Sequence, residues 1–434
     1  MTATAGRLHA RNQDKVLMLL STGARMGVGM LTFVLLARFL GPASYGVIAT
    51  AIAYATFTSL LTDFGFTLSI LRKAAADPDQ SEGYVWQALQ AKAVLTLGAA
   101  CLGALILWFL VPNADPLVYG LVFIGALAYS SADIIMICAR ARRRFLVETK
   151  LVIASSLIML LLLGSTAAIT RDITMTATAF ACSRLLYLAL AVAALLPFDA
   201  VDLDFSHLGQ TLKDSFSFAC DHILTALSTQ ADLLIFGALL VAHDIGIYQA
   251  GARLVQATIP FAGVLSTVYL PTLIGALSAE DKVGFRTNAR RLTIEFLALS
   301  TIGGLAFAFI GPIFTRIVYG PAYEALVPLW GGFAAFVVLR FGSAAYGIQL
   351  AAYKRILSRI LANLVSIASL AVGAAVLLPH AGLTAAPLLL ALSNAPSFLI
   401  LAFSTWKMDR SLWSIPQTAI MTMIVALLIL VWGI

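Results

Sequence analysis

Long apolar runs separated by short charged or Gly/Pro-containing breaks recur along nearly the whole chain. About 20 apolar residues span the hydrocarbon core of a bilayer, so each run predicts a membrane helix. The pattern predicts six helices near 15–39, 45–71, 84–111, 116–139, 149–169 and 173–197. A polar, acidic stretch at 198–213 follows, then helices near 214–241, 245–277, 290–314, 323–350, 356–378 and 382–405, with a further one at 412–434. The predicted organisation is all-α and polytopic: an N-terminal six-helix bundle over 1–197, a cytoplasmic linker at 198–213, a C-terminal six-helix bundle over 214–405 and an extra C-terminal transmembrane helix within 406–434. The first run is longer than a signal-peptide core and contains Arg25, so it is read as an uncleaved helix.

Composition agrees. Of 434 residues, 61% are hydrophobic and only 11% charged, against about 25% charged in a soluble protein, which excludes a soluble globular chain. The excess of 28 Lys and Arg over 21 Asp and Glu is read as topology. With the N-terminus in the cytoplasm, most basic residues fall in cytoplasmic segments, among them Arg7, Arg11, Arg72, Lys73, Arg140, Arg142, Arg143, Arg144, Lys282, Arg286, Lys354 and Arg355, as the positive-inside rule requires. All six Trp residues lie near predicted helix ends, which reads as an interfacial belt. Cys101, Cys138, Cys182 and Cys220 lie in apolar segments without metal-ligand spacing and are read as packing residues, with no metal implied.

Two short patterns recur in the same order. Leu40-Gly41-Pro42-Ala43-Ser44-Tyr45-Gly46 aligns with Leu240-Val241-Ala242-His243-Asp244-Ile245-Gly246 at an offset of 200, and Ala139 to Arg144 aligns with Leu350 to Arg355 at an offset of 211. A parallel repeat of two six-helix halves explains both, and internal repeats are common in transporters.

Polar residues at helical spacing mark the first two helices of each half. The stripes are Ser21, Arg25, Gly29, Thr32; Thr56, Ser59, Asp63, Thr67; Asp221, Thr225, Ser228, Asp232; and Gln249, Arg253, Gln256, Pro260, Gly263, Thr267. Such stripes face either a hydrated cleft or a neighbouring helix through hydroxyl hydrogen bonds. An arginine cannot be neutralised and needs water or an anion, so Arg25 and Arg253 are assigned to a cavity. Their guanidinium groups match phosphate oxygens, which points to an anionic headgroup as cargo, with Asp63, Asp232, Gln249 and Gln256 beside them. Asp63, Asp221 and His222 are the candidates for coupling to a proton or Na⁺. Arg184 and Arg340 are open between ion pairing and function, while Lys92, Asp133 and Glu295 are read as snorkelling to the cytoplasmic face. Pro260, Gly263 and Pro271 favour a bend in the eighth helix, as a gate or a static kink. Gly23-x-x-x-Gly27 suggests close helix packing. No nucleotide-binding glycine loop, no H-E-x-x-H and no long outer loop is present, so an enzyme is not expected and no cofactor is implied.

Leu36-Ala37-Arg38-Phe39-Leu40-Gly41-Pro42-Ala43-Ser44-Tyr45-Gly46, Leu61-Thr62-Asp63-Phe64-Gly65-Phe66, Leu71-Arg72-Lys73, Gln230-Ala231-Asp232, Gly246-Ile247-Tyr248 and Val318-Tyr319-Gly320-Pro321-Ala322-Tyr323 together resemble the polysaccharide transporter, or Wzx-type oligosaccharide flippase, family. The resemblance implies the multidrug/oligosaccharidyl-lipid/polysaccharide (MOP) superfamily fold, two six-helix bundles in a V, in the bacterial inner membrane. It also implies a substrate of polyprenyl-diphosphate-linked oligosaccharide for surface polysaccharide, moved by alternating access, with a polymerase and other assembly proteins as partners. Coupling to a proton, Na⁺ or the membrane potential is compatible with it. The alternative is a cation-coupled multidrug exporter of the same superfamily, for which a more acidic cavity is expected. The thirteenth segment departs from the usual twelve or fourteen helices.

Overall fold

The computed structural model describes residues 2–110, 114–196, 205–408, 419–420 and 422–427, and every regular element among them is helical. The chain divides into two compact units, Met1–Gln230 and Ala231–Ile434. The first holds α1 (Thr2–Asp63), α2 (Phe66–Ala76), α3 (Ser81–Leu110), α4 (Pro116–Ala141), α5 (Phe145–Thr170), α6 (Ile173–Leu195) and most of α7 (Leu208–Leu239). The second holds the end of α7, then α8 (Ala242–Gln256), α9 (Ile259–Ser278), α10 (Lys282–Phe314), α11 (Trp330–Ala352), α12 (Ile356–Ala381) and α13 (Ala385–Met408). Part of the expected linker is helical, because α7 begins at Leu208. Of the expected extra helix, 419–420 and 422–427 are helical and the remainder beyond Met408 lies outside the described residues.

Eight helical runs among the described residues are long and apolar enough to cross a membrane, so this is a multi-pass membrane protein. Two of them, Val16–Asp63 and Leu357–Met408, each hold two predicted spans. At 1.5 Å per residue, the 48 residues from Val16 to Asp63 extend about 72 Å, over twice the ~30 Å hydrocarbon core. α1 is broken by a kink at Gly41, with φ 74° and ψ 170°. Gly320 adopts φ 85° and ψ −174° before the turn that leads to α11. Both glycines precede Pro-Ala. Proline drives the preceding residue to extended ψ, and positive φ with ψ near 180° is open essentially to glycine alone.

The repeat expected from sequence is present in the backbone. In α4 61% of the most apolar window is buried, and in the run holding α11 78%, against 12% to 39% for the other spans. Thus the fourth helix of each half is its packing axis: α4 lies against α6 and α1, and α11 against α10 and α13. Each ends in the same turn, 211 residues apart. Arg143 has φ 56° and Lys354 φ 58°, with Arg144 N donating to Ala139 O at 2.7 Å and Arg355 N to Leu350 O at 2.9 Å. The kink at Gly41 and the break before α8 at Val241 reproduce the other offset, 200.

Four expectations are corrected by the structure. Each predicted second helix is two: the first breaks at Phe64–Gly65, where φ is 42° and 69°, and its counterpart breaks at Ala257–Thr258. Pro260 therefore stands in the first turn of α9, where its missing N–H has no helical acceptor to serve. Gly263 faces open space, and Pro271 lies inside α9. Trp330 is not interfacial: it is 1% exposed, stacked 5.8 Å from Phe307, and donates from Nε1 to Thr315 Oγ1 at 2.9 Å. Gly23 and Gly27 meet no neighbour within 4 Å, whereas a Cβ on Gly125 would lie 2.7 Å from the Phe180 ring, where α4 meets α6. Of the cysteines expected to pack, only Cys138 is buried.

Gly41 has open space around its Cβ position, so Gly41→Ala isolates backbone strain. It is expected to cost about 1–3 kcal/mol, and Gly125→Val, through overpacking, a similar amount. Gly23→Ala is expected to stay within about 0.5 kcal/mol. Thermal unfolding of the purified variants in detergent checks the order.

Candidate functional site

The polar residues of the first unit gather in two clusters. In one, Lys92 of α3 donates to the Asp63 carboxylate at the end of α1 and to Ser130 Oγ of α4 at 2.5 Å. Both charges are buried, Lys92 at 3% and Asp63 at 7% exposure. Lys92 therefore does not snorkel: it crosses to the acid that ends α1 and ties three helices together. The expected pairing of Asp63 with an arginine is replaced by this lysine.

The second cluster is a chain of alternating charge along α4. Arg25 of α1 lies 3.6 Å from Asp133, Asp133 lies 3.2 Å from Arg140, and Arg140 lies 2.9 Å from Glu148 of α5. Arg25 also stands over the Tyr129 ring at 5.7 Å. Tyr129, Asp133 and Arg140 follow at i, i+4 and i+11, so they share one face of α4. That spacing was open to sequence analysis, but Asp133 reads there as a residue near the interface. Three hydroxyls of the first stripes bond within their own helix. Ser21 donates to Met18 O at 3.0 Å, Thr32 to Val28 O at 2.8 Å and Ser59 to Thr56 O at 3.1 Å, the back-bonding typical of buried Ser and Thr.

In the second unit, α7 and α8 bring three predicted residues together. Asp232, at the end of α7, accepts from Tyr248 Oη at 2.7 Å. Gln249 is fully buried, and with its amide oxygen toward Arg253 it accepts from Nε at 2.6 Å and Nη2 at 3.3 Å. Asp232 also lies in the field of both Arg253 and Arg340. Tyr248, packed against Phe236 and Phe333, stands in sequence only within the Gly246-Ile247-Tyr248 motif, and its bond to Asp232 had no local mark. Gln256 closes α8 and is half-buried. The side chains of Asp221, His222 and Pro260 lie outside the described residues. Glu295 pairs with Arg291 at 2.9 Å along an exposed face of α10.

A cavity of ≈ 500 Å³ in the first unit lies between Tyr54 and Thr58 of α1, Gly103 and Leu107 of α3, and Tyr119 and Phe123 of α4. It is mostly apolar and none of the predicted site residues lines it. Among the described residues no group of three His, Cys, Asp or Glu is placed to hold a metal.

A family model described as polysaccharide biosynthesis protein matches residues 13–276. The amylovoran biosynthesis protein AmsL of Erwinia amylovora is 31% identical over 110 residues, 24% of this chain, and the match spans 28% of that relative's length. Among solved structures, the lipid II flippase MurJ in an inward closed conformation superposes with a TM-score of 0.65 at 11% identity, covering 96% of this chain and 97% of that one. An inward-facing MATE family multidrug resistance transporter of the MOP superfamily gives 0.57 at 13% identity, over 94% and 99%. At these identities the likeness is one of fold.

Removing one member of the Asp63–Lys92 pair leaves the other charge buried, at a cost of about 3–5 kcal/mol. Asp63→Leu and Lys92→Met are each expected to lower the melting temperature of the purified protein sharply, and the double variant to recover most of the loss. Additive losses would show that the pair is not coupled.

Proposed function

Since the chain belongs to the polysaccharide biosynthesis protein family and has the fold of MOP-superfamily transporters, we propose that it is a flippase moving polyprenyl-diphosphate-linked oligosaccharide across the bacterial inner membrane by alternating access. It acts as a transporter and not as an enzyme, with its N-terminus in the cytoplasm. The observation that carries this reading is a pair of arginines, Arg25 in the membrane helix α1, beside Asp133 and Tyr129, and Arg253 in α8, held by the buried Gln249 amide. Guanidinium is always charged and forms bidentate, charge-assisted hydrogen bonds with phosphate oxygens. In this reading Arg25 and Arg253 each offer a phosphate contact within their own unit, while Asp232, Gln249 and Gln256 orient Arg253 and meet the first sugar. The polyprenyl chain remains among the lipids. AmsL's amylovoran biosynthesis and MurJ's lipid II flipping support a carbohydrate-bearing lipid as cargo.

The multidrug exporter is the competing reading, favoured by the MATE likeness. An exporter of cationic drugs needs acids available to the drug or to a coupling ion. Asp63 is instead engaged by Lys92, and Asp133 by two arginines. Asp63 remains a coupling candidate only where its bond to Lys92 opens during the cycle.

Cells lacking the gene are expected to accumulate polyprenyl-diphosphate oligosaccharide and lose the surface polymer, read by mass spectrometry of lipid extracts. Arg25→Ala and Arg253→Ala are each expected to reduce flipping about tenfold or more, the value of one charge-assisted hydrogen bond. A normal lipid and polymer profile in cells without a second flippase would reject the reading in favour of the exporter.

A further inference from the structure

We propose that Arg184 and Tyr187 of α6, together with Arg25 of α1, form an oxyanion subsite around the ring of Tyr129 that binds a phosphate group of the lipid-linked substrate. The assignment deepens the flippase reading and rests on it for the identity of the cargo. It begins with two donors that have nothing to donate to. Arg184 Nε is buried with no hydrogen-bond partner, and so is the Tyr187 hydroxyl one turn further along α6. Buried polar groups in native proteins are nearly always paired, so two orphaned donors on one helix face require explanation.

Both converge on the same ring. The Arg184 guanidinium stands 4.3 Å from the centroid of Tyr129 and 5.3 Å from that of Phe180. Tyr187 packs on Tyr129 with centroids 5.9 Å apart. Arg25 reaches the same ring at 5.7 Å, and its side chain is 36% exposed.

Charge counting gives the ligand its sign. Among the described residues, Arg25, Arg140 and Arg184 share the neighbourhood with Asp133, Glu148 and the self-neutralising Lys92–Asp63 pair, and the first two acids lie on Arg25 and Arg140. No ion pair to Arg184 is present among the described residues, and the nearby charge of Arg25 repels it. One cation is left over where it cannot be neutralised by deprotonation, and aromatic faces offset its charge only in part. A neutral sugar hydroxyl would satisfy a donor but not the charge. A carboxylate offers two oxygens, and chloride offers none with directional lone pairs. A phosphate group offers several oxygens at once, enough for Arg184 Nε–H, the Tyr187 hydroxyl and the Arg25 guanidinium.

The test uses the full chain in phosphatidylcholine nanodiscs and measures binding of inorganic diphosphate and of a polyprenyl diphosphate by calorimetry, for wild type, Arg184→Gln, Arg184→Lys and Tyr187→Phe. Arg184→Gln is expected to weaken both probes about tenfold or more, the value of one hydrogen bond to a charged group. Arg184→Lys is expected to restore part of the loss, and Tyr187→Phe to weaken binding severalfold at an unchanged melting temperature. Should Arg184→Gln not fold, Tyr187→Phe alone decides, since it removes one hydroxyl and no packing. Wild-type affinity in Tyr187→Phe and Arg184→Gln, or no binding of either probe to wild type, overturns the subsite. Adding phosphatidylglycerol to the nanodiscs separates the sources: competition at a molar ratio near unity would assign the phosphate to bulk anionic lipid and overturn the substrate assignment. Loss of diphosphate binding in the variants, in cells whose lipid-linked oligosaccharide does not accumulate without the gene, would keep the oxyanion subsite and remove the flippase cargo.

Discussion

Inside the hydrocarbon no water is available to solvate a charge, and the whole polar architecture of this protein answers that constraint. Backbone groups are satisfied by helices throughout the described residues. Hydroxyls turn back to carbonyls one turn earlier, as Ser21, Thr32 and Ser59 do. Charges cannot do this alone and must find one another across helices. The pair Asp63–Lys92 and the chain Arg25–Asp133–Arg140–Glu148 are therefore helix-to-helix connections first, and they fix which faces of α1, α3, α4 and α5 can meet.

The same constraint explains why α4 and α11 are the axes of their units. A central helix is covered by protein over most of its surface, so its polar residues can be partnered. On α4 these are Tyr129, Ser130, Asp133 and Arg140. Small residues allow the close approach this needs, and Gly125 against Phe180 and Gly251 against Phe333 leave no space for a Cβ. Helices at the periphery instead present large apolar side chains outward, such as Trp108 at 78% and Ile169 at 82% exposure.

Much of this was legible from periodicity, because the membrane imposes a length on every apolar run and a cost on every polar interruption. Arg25 and Arg253 stood out as uncompensated charges at helical spacing, and the repeat reappears in matching turns at Arg143 and Lys354. What was not legible depends on partners distant in sequence. Lys92 and Asp63 are 29 residues apart, and nothing local distinguishes a lysine that reaches a buried acid from one that reaches water. Trp330 sits near a helix end as an interfacial tryptophan does, yet Phe307 and Thr315 enclose it. Gly23 and Gly27 have the spacing of a packing motif and no helix against them. The breaks at Phe64–Gly65 and Ala257–Thr258 fall beside Asp63 and beside Gln256 and Pro260, polar and proline positions that read as site or bend residues and not as helix ends.

The Asp63–Lys92 bond also sets an order on biogenesis. Ribosomes add about 5–20 residues per second, so the 29 residues that separate the two take roughly 1.5 to 6 seconds to emerge. During that interval the acid at the end of α1 has no cation, and releasing it alone into lipid is unfavourable. Until α3 arrives with its lysine, α1 is therefore an incomplete element, and its folded position depends on a partner the chain supplies later.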